Sequence, residues 1–258
     1  MHQHLEQNIQ SLLTQFPALG AVLSDSGIGC TTCSLGSCRV KDILEIHNLD
    51  AENSRNLIQR MGEVIYGGGT FEVPLLERRV APVNSAFCPP IARMVEEHAF
   101  IKRVIARIPP LAAALRAGDE GARDLAEGTL DFIRTYADRY HHAKEEDILF
   151  GYFDESSGIL EVMRQDHRDG RSHVQAAAAA LAAGEPGPFA QHLKAYGELL
   201  LGHIHREDTI LYPWMDRSLP MRQVGELFAR CQEVERGFAG VARAQEAFVA
   251  ELEARLGG

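Results

Sequence analysis

At 258 residues, 45% of them hydrophobic, the chain is long enough for a large core and a second, smaller module. Its net charge of -10 argues against nucleic acid as a general partner. No apolar run reaches the roughly 18 residues of a membrane span, and MHQHLEQNIQ lacks the basic and apolar regions of an export signal, so a soluble, cytoplasmic protein is expected.

Residues 1–67 read as a small helical module. The run IQSLLTQFPALGAVLSDSGIGC gives two short helices broken at Pro17; a third follows at Val40 to His47 and a fourth at Ala51 to Ile65, with Asp50 placed to cap it. Between the second and third stands Cys30-Thr-Thr-Cys33-Ser-Leu-Gly-Ser-Cys38, which holds three of the five cysteines. This spacing suits an iron-sulfur cluster or zinc, because a glycine-containing loop can fold several thiolates around one metal unit. A redox dithiol and simple packing are the other readings. A fourth ligand is missing locally, with His47, Cys88 or an exogenous group as candidates. The odd cysteine count argues against a disulfide framework.

Residues 68–89, rich in glycine and proline, cannot form a continuous helix and read as a linker. Residues 90–216 then carry four helical stretches. Pro109 and Pro110 end or kink the first, Gly118 and Asp119 separate it from the second, Ser156 to Gly158 open the third, and the GEPGP segment precedes the fourth. The fold class is therefore all-α, an up-down-up-down four-helix bundle. Residues 217–258 supply one long amphipathic helix, which either covers its own bundle or pairs with a second copy in a homodimer.

Each of the four stretches drops a histidine into an apolar seam. They are His98, flanked by Met94 and Ile101; His141, by Ala137 and Ile148; His167, by Met163 and Val174; and His203, by Leu200 and Ile210. Glu145 and Glu207 lie four residues after His141 and His203, and so on the same helical face one turn on. Buried carboxylates without a partner cost several kcal/mol, and a metal is one of the few ways to offset that. Four imidazoles and two carboxylates converging from four helices point to a dinuclear metal site. Nitrogen and oxygen ligands without thiolate suit iron, manganese or zinc, with iron the first choice. His142, Glu146 and His205 fall one or two positions off the seam and read first as boundary groups or as groups behind the ligands, with a one-residue slip that makes them ligands as the alternative.

In the order and spacing of these residues, and in EEDILF and EDTILYP, residues 88 to 216 resemble the hemerythrin-like family of His-His-Glu domains. The resemblance implies that His98, His141, Glu145, His167, His203 and Glu207 bind two non-haem irons, with the two glutamates as bridges. The chain departs from the oxygen-carrying members in having Arg171, not histidine, four residues after His167. FPALGAVLSDSGIGC resembles the short domain that precedes the bundle in iron-centre repair proteins, although its cysteines are spread where an adjacent pair is expected. The expectation is a di-iron protein that binds or reduces NO, oxygen or peroxide, or helps rebuild iron-sulfur centres, with the cysteine loop as cluster or redox site. The electron donor is unspecified. The rival expectation is a non-catalytic sensor, or an oxygen- or iron-binding protein.

Overall fold

A computed structural model describes residues 1–26, 28, 39–46, 49–74, 87–154 and 157–257. The Cys30, Cys33 and Cys38 loop, and His47, lie outside the described residues. Apart from a single bridge between Asn8 and Arg39, the described residues are helical or irregular. The chain divides into two compact units, one of residues 1–85, 155–162 and 210–218, the other of 86–154, 163–209 and 219–258.

The first unit holds α1 (His2–Leu5), α2 (Ile9–Gln15), α3 (Leu19–Asp25), α4 (Val40–Ile46) and α5 (Ala51–Tyr66). Asn8 caps α2 by accepting from the Gln10 and Ser11 amides, and Asp50 caps α5 by accepting from the Asn53 amide at 2.7 Å. Gly67, at φ 59°, ends α5 in the left-handed conformation that glycine tolerates. Their apolar faces meet in one core that includes Ile9, Leu12, Leu19, Leu23, Ile43 and Ile58, all at most 2% exposed.

The second unit contains the bundle. Its first limb is α6 (Pro89–Ile105), followed by α7 (Ile108–Ala117). Pro109 and Pro110 sit in the first turn of α7, where a missing amide breaks no hydrogen bond, so they start a helix as the previous one stops. The second limb, α8, is α-helical over Ala122–Phe132, widens into π-helix over Ile133–His142 and again over Glu145–Leu149, and closes with a tight turn at Phe150–Tyr152. Next come α9 (Gly158–Ala182), which enters this unit at Met163, and α10 (Pro186–Arg206); α10 continues as π-helix over Glu207–Leu211, and α11 (Tyr212–Ser218) is counted with the first unit. Leu111, Phe132, Phe189, Leu193 and Ala177 are fully buried between these limbs. The last helix, α12 (Met221–Leu256), lies along α6 and α8, with Val249 and Leu252 completely buried.

Candidate metal centre

His98 comes from α6, His141, His142 and Glu145 from α8, His167 from α9, and His203 and Glu207 from α10 and its π-helical extension. None is more than 5% exposed. All six residues expected from the sequence are brought together, and His142 joins them. They form two sets whose ligand atoms lie within 4.8 Å of one another: His98, His141, Glu145 and Glu207 in one, His142, Glu145, His167 and His203 in the other. Glu145 belongs to both.

The wide turns of α8 explain His142. Successive side chains of an α-helix diverge by about 100°, whereas bonding from i to i+5 narrows this to roughly 80°. Adjacent His141 and His142 can then both face the bundle axis. Reading at the α period alone puts His142 off the seam.

Within the sets, imidazole faces imidazole. The Nε2 atoms of His98 and His141 are 2.8 Å apart, and those of His167 and His203 are 3.0 Å apart. Glu207 Oε2 lies 3.2 Å from His98 Nε2 and Oε1 lies 3.1 Å from His203 Nε2. Glu145 reaches towards His141 at 3.8 Å and His167 at 3.4 Å.

The outward nitrogens follow one rule. His98 Nδ1 meets Asp208 at 2.6 Å, His141 Nδ1 meets Glu97 at 2.8 Å, His167 Nδ1 meets Glu146 at 2.5 Å and His203 Nδ1 meets Asp166 at 3.1 Å. Every such acid is the chain neighbour of a ligand on a different limb: Glu97 of His98, Glu146 of Glu145, Asp166 of His167 and Asp208 of Glu207. The partnerships run from α6 to α8, α9, α10 and back to α6, a closed circuit around the bundle. A base three or four residues after each histidine grips the same acid. Lys102 holds Asp208 at 2.8 Å, Arg171 holds Glu146 at 2.9 Å, Lys144 pairs with Glu97, and Arg206 with Asp166. His142 Nδ1 has only a loose contact, 3.5 Å, with Asp138 of its own helix.

With the Nδ1 proton directed at a carboxylate, the neutral form of each of these four imidazoles turns an Nε2 lone pair towards the two carboxylates in the interior. Neither Glu207 oxygen has a hydrogen-bond partner of normal geometry among the described residues. Buried acceptors at such distances repel unless positive charge sits between them.

Protonation behaviour says the same. Burial opposes the imidazolium of His98, but Asp208 and Glu207 outweigh it and raise its pKa to about 9. Burial likewise opposes charge on His203, while Glu207 and Asp166 raise it to about 10. His142 is pushed down to about 4 by burial and by nearby His167, and burial holds His141 well below its ordinary value. Glu207 stays ionised, its buried carboxylate held well below the usual range by His203 and His98. Positive charge is thus recruited to the centre of the bundle, and divalent ions suit an all-acceptor nitrogen and oxygen set.

His205 is exposed on α10, and His173 pairs with His192 away from the centre at 3.4 Å. Tyr136 and Tyr140 belong to an aromatic stack with Phe100, Phe132 and Phe238, with the Lys144 ammonium 3.9 Å above the Tyr140 ring. The four acids that hold the imidazoles went unnoticed in the sequence, apart from Glu146. Their signal was their place directly beside a ligand.

Residues 89–215 match the family profile of the hemerythrin HHE cation binding domain. Uncharacterized proteins of Mycobacterium bovis and of two strains of Mycobacterium tuberculosis are each 27% identical over 176 residues, covering 64% of this chain and 69% of theirs. No solved structure matches at a comparable level of similarity. Among the described residues no helix is long and apolar enough to cross a membrane.

Proposed function

Residues 89–215 belong to the hemerythrin HHE cation-binding family, and on that footing we propose that the chain is a di-iron protein whose two ions share Glu145 and bind a small ligand. The observation that carries this reading is the convergence of five buried imidazoles and two buried carboxylates in two sets that share Glu145. His98 and His141 would hold one ion and His142, His167 and His203 the other, with Glu207, whose oxygens lie 3.2 Å from His98 and 3.1 Å from His203, reaching towards both sets as Glu145 does. A ferrous pair, if bound by these residues, would supply electrons and open coordination positions to NO, oxygen or peroxide. The protein's share is to fix the imidazole tautomers through Glu97, Glu146, Asp166 and Asp208, to hold two carboxylates ionised, and to keep bulk water from the buried side of the pair.

The cysteine loop fits the same reading as the site through which electrons arrive, whether Cys30, Cys33 and Cys38 hold a cluster or cycle as a dithiol. The likeness of FPALGAVLSDSGIGC to part of the small domain of iron-centre repair proteins favours a role in rebuilding damaged iron-sulfur centres under oxidative or nitrosative stress. A non-catalytic sensor is the alternative. Turnover separates the two. Iron-loaded protein supplied with excess reductant should consume NO or peroxide continuously, and Cys30→Ser with Cys33→Ser should stop multiple turnover while leaving the di-iron spectrum in place. One equivalent bound and then no further consumption would establish the sensor, and no binding at all would sink both.

A further inference from the structure

The buried stripe of α12 runs through Leu227, Cys231, Val249 and Leu252, and Gln245 stands in it at 5% exposure. An apolar side chain would fill that place with no hydrogen bond to satisfy, so a buried amide there calls for a polar partner on the facing helix. That partner is the point where α8 changes form. α8 passes from α-helix to π-helix between Phe132 and Ile133. Gln245 Nε2 donates to Asp131 Oδ2 at 2.8 Å and to the Thr135 hydroxyl at 3.0 Å, one on each side of that junction. The Thr135 hydroxyl in turn donates to the Asp131 carbonyl at 2.7 Å, closing a knot across the turn that widens.

Further along, α12 meets α8 at three more places in antiparallel order. The Phe238 ring lies 5.5 Å from that of Tyr140, Glu235 reaches Lys144 at 3.9 Å, and Arg230 Nη2 donates to the Asp147 carbonyl at 3.0 Å in the second π-helical stretch. These contacts follow the widened part of α8 from its start almost to its end. Runs of π-helix this long are rare, and a chain left to its own local bonding winds at the α period. At that period His142 falls off the seam.

We propose that α12, with Gln245 as its principal contact, holds α8 in the wide-turn form and so keeps His142 turned into the bundle as a ligand. Gln245 touches no ion and is a positioning residue acting through His142. His142 and His167 also line a half-open cavity between α8, α9 and α10, so theirs would be the pocket-side ion. This inference rests on the metal-pair reading and brings into it a helix outside the four limbs.

The test uses full-length protein and zinc, the content of two ions per chain first confirmed by metal analysis and affinity read by competition with a chelator. Gln245→Leu keeps the stripe apolar and leaves Asp131, which is exposed, to water, so the variant should fold as the parent. It should weaken the pocket-side ion about tenfold and leave the other unchanged. In a His142→Ala chain the same substitution should change zinc affinity no further, because the residue it acts through is gone. A second readout needs no metal: amide exchange across residues 133–142 of the metal-free variant should quicken about tenfold while that of α9 stays as in the parent. Unchanged zinc affinity, an equal loss with and without His142, or unchanged exchange in α8 overturns the role of α12 alone. A parent chain that fails to hold two zinc ions overturns the metal pair and the proposal with it.

Discussion

At the scale of single residues, the centre depends on acids that touch no ion. Asp208 holds His98 and is itself gripped by Lys102, and the same three-part unit recurs on each limb. Removing the charge without changing shape isolates that contribution. Asp208→Asn should lower metal affinity about 10- to 100-fold while the ligands stay in place, as competition with a chelator would read. A neutral affinity effect would show that the outer acids serve folding only. Glu97 differs because its base, Lys144, is 1% exposed. Glu97→Gln would leave that buried ammonium with only the long contact to Glu235, 3.9 Å, costing about 3 kcal/mol in urea unfolding. Glu97→Gln combined with Lys144→Met should recover most of the loss. If the double variant is no more stable than Glu97→Gln, burial of the unpaired charge is not the cause. The seam histidines and the two glutamates were legible from α-helical spacing. The braces were not, because nothing in one helix says which acid on another limb will meet its imidazole.

At the scale of elements, the π-helical stretches of α8 and α10 contain or adjoin most of the proposed ligands. They are where reading at a period of 3.6 fails: the helix itself was evident from its apolar stripe, but the local widening that brings His142 inward depends on packing. His142→Ala should therefore lose mainly the pocket-side ion, taking metal content from about two per chain towards one, by metal analysis after dialysis. Unchanged content would return His142 to the boundary role read from the sequence. The long helix α12 is positioned by close approach. A Cβ on Gly128 of α8 would fall 2.3 Å from the Phe248 ring of α12, so Gly128→Ala must displace that ring. Overpacking of this kind costs about 1–3 kcal/mol, read as a lowered thermal midpoint, and Phe248→Leu in the same chain should relieve part of it. The sequence showed α12 to be amphipathic; which face covers the bundle needed the fold.

For the whole molecule, the two units have separate cores, and the first contributes none of the proposed bundle ligands. Stripping the ions should raise amide exchange across α6, α8, α9 and α10 while leaving α2, α3 and α5 protected, because metal binding stabilises only what it holds. Equal loosening in both units would mean that metal stabilises them as one. The boundary between the units was only partly legible, since residues 155–162 and 210–218 lie far along the chain from the helices they join. The central claim is that seven buried side chains hold two irons through a shared Glu145. Its most direct test is metal analysis with a Mössbauer spectrum on protein purified without oxygen, alongside Glu145→Gln. Two irons per chain, giving a magnetically coupled pair once oxidised and lost together in the variant, is the expected result; one uncoupled iron, or two that survive Glu145→Gln with their coupling intact, would contradict it.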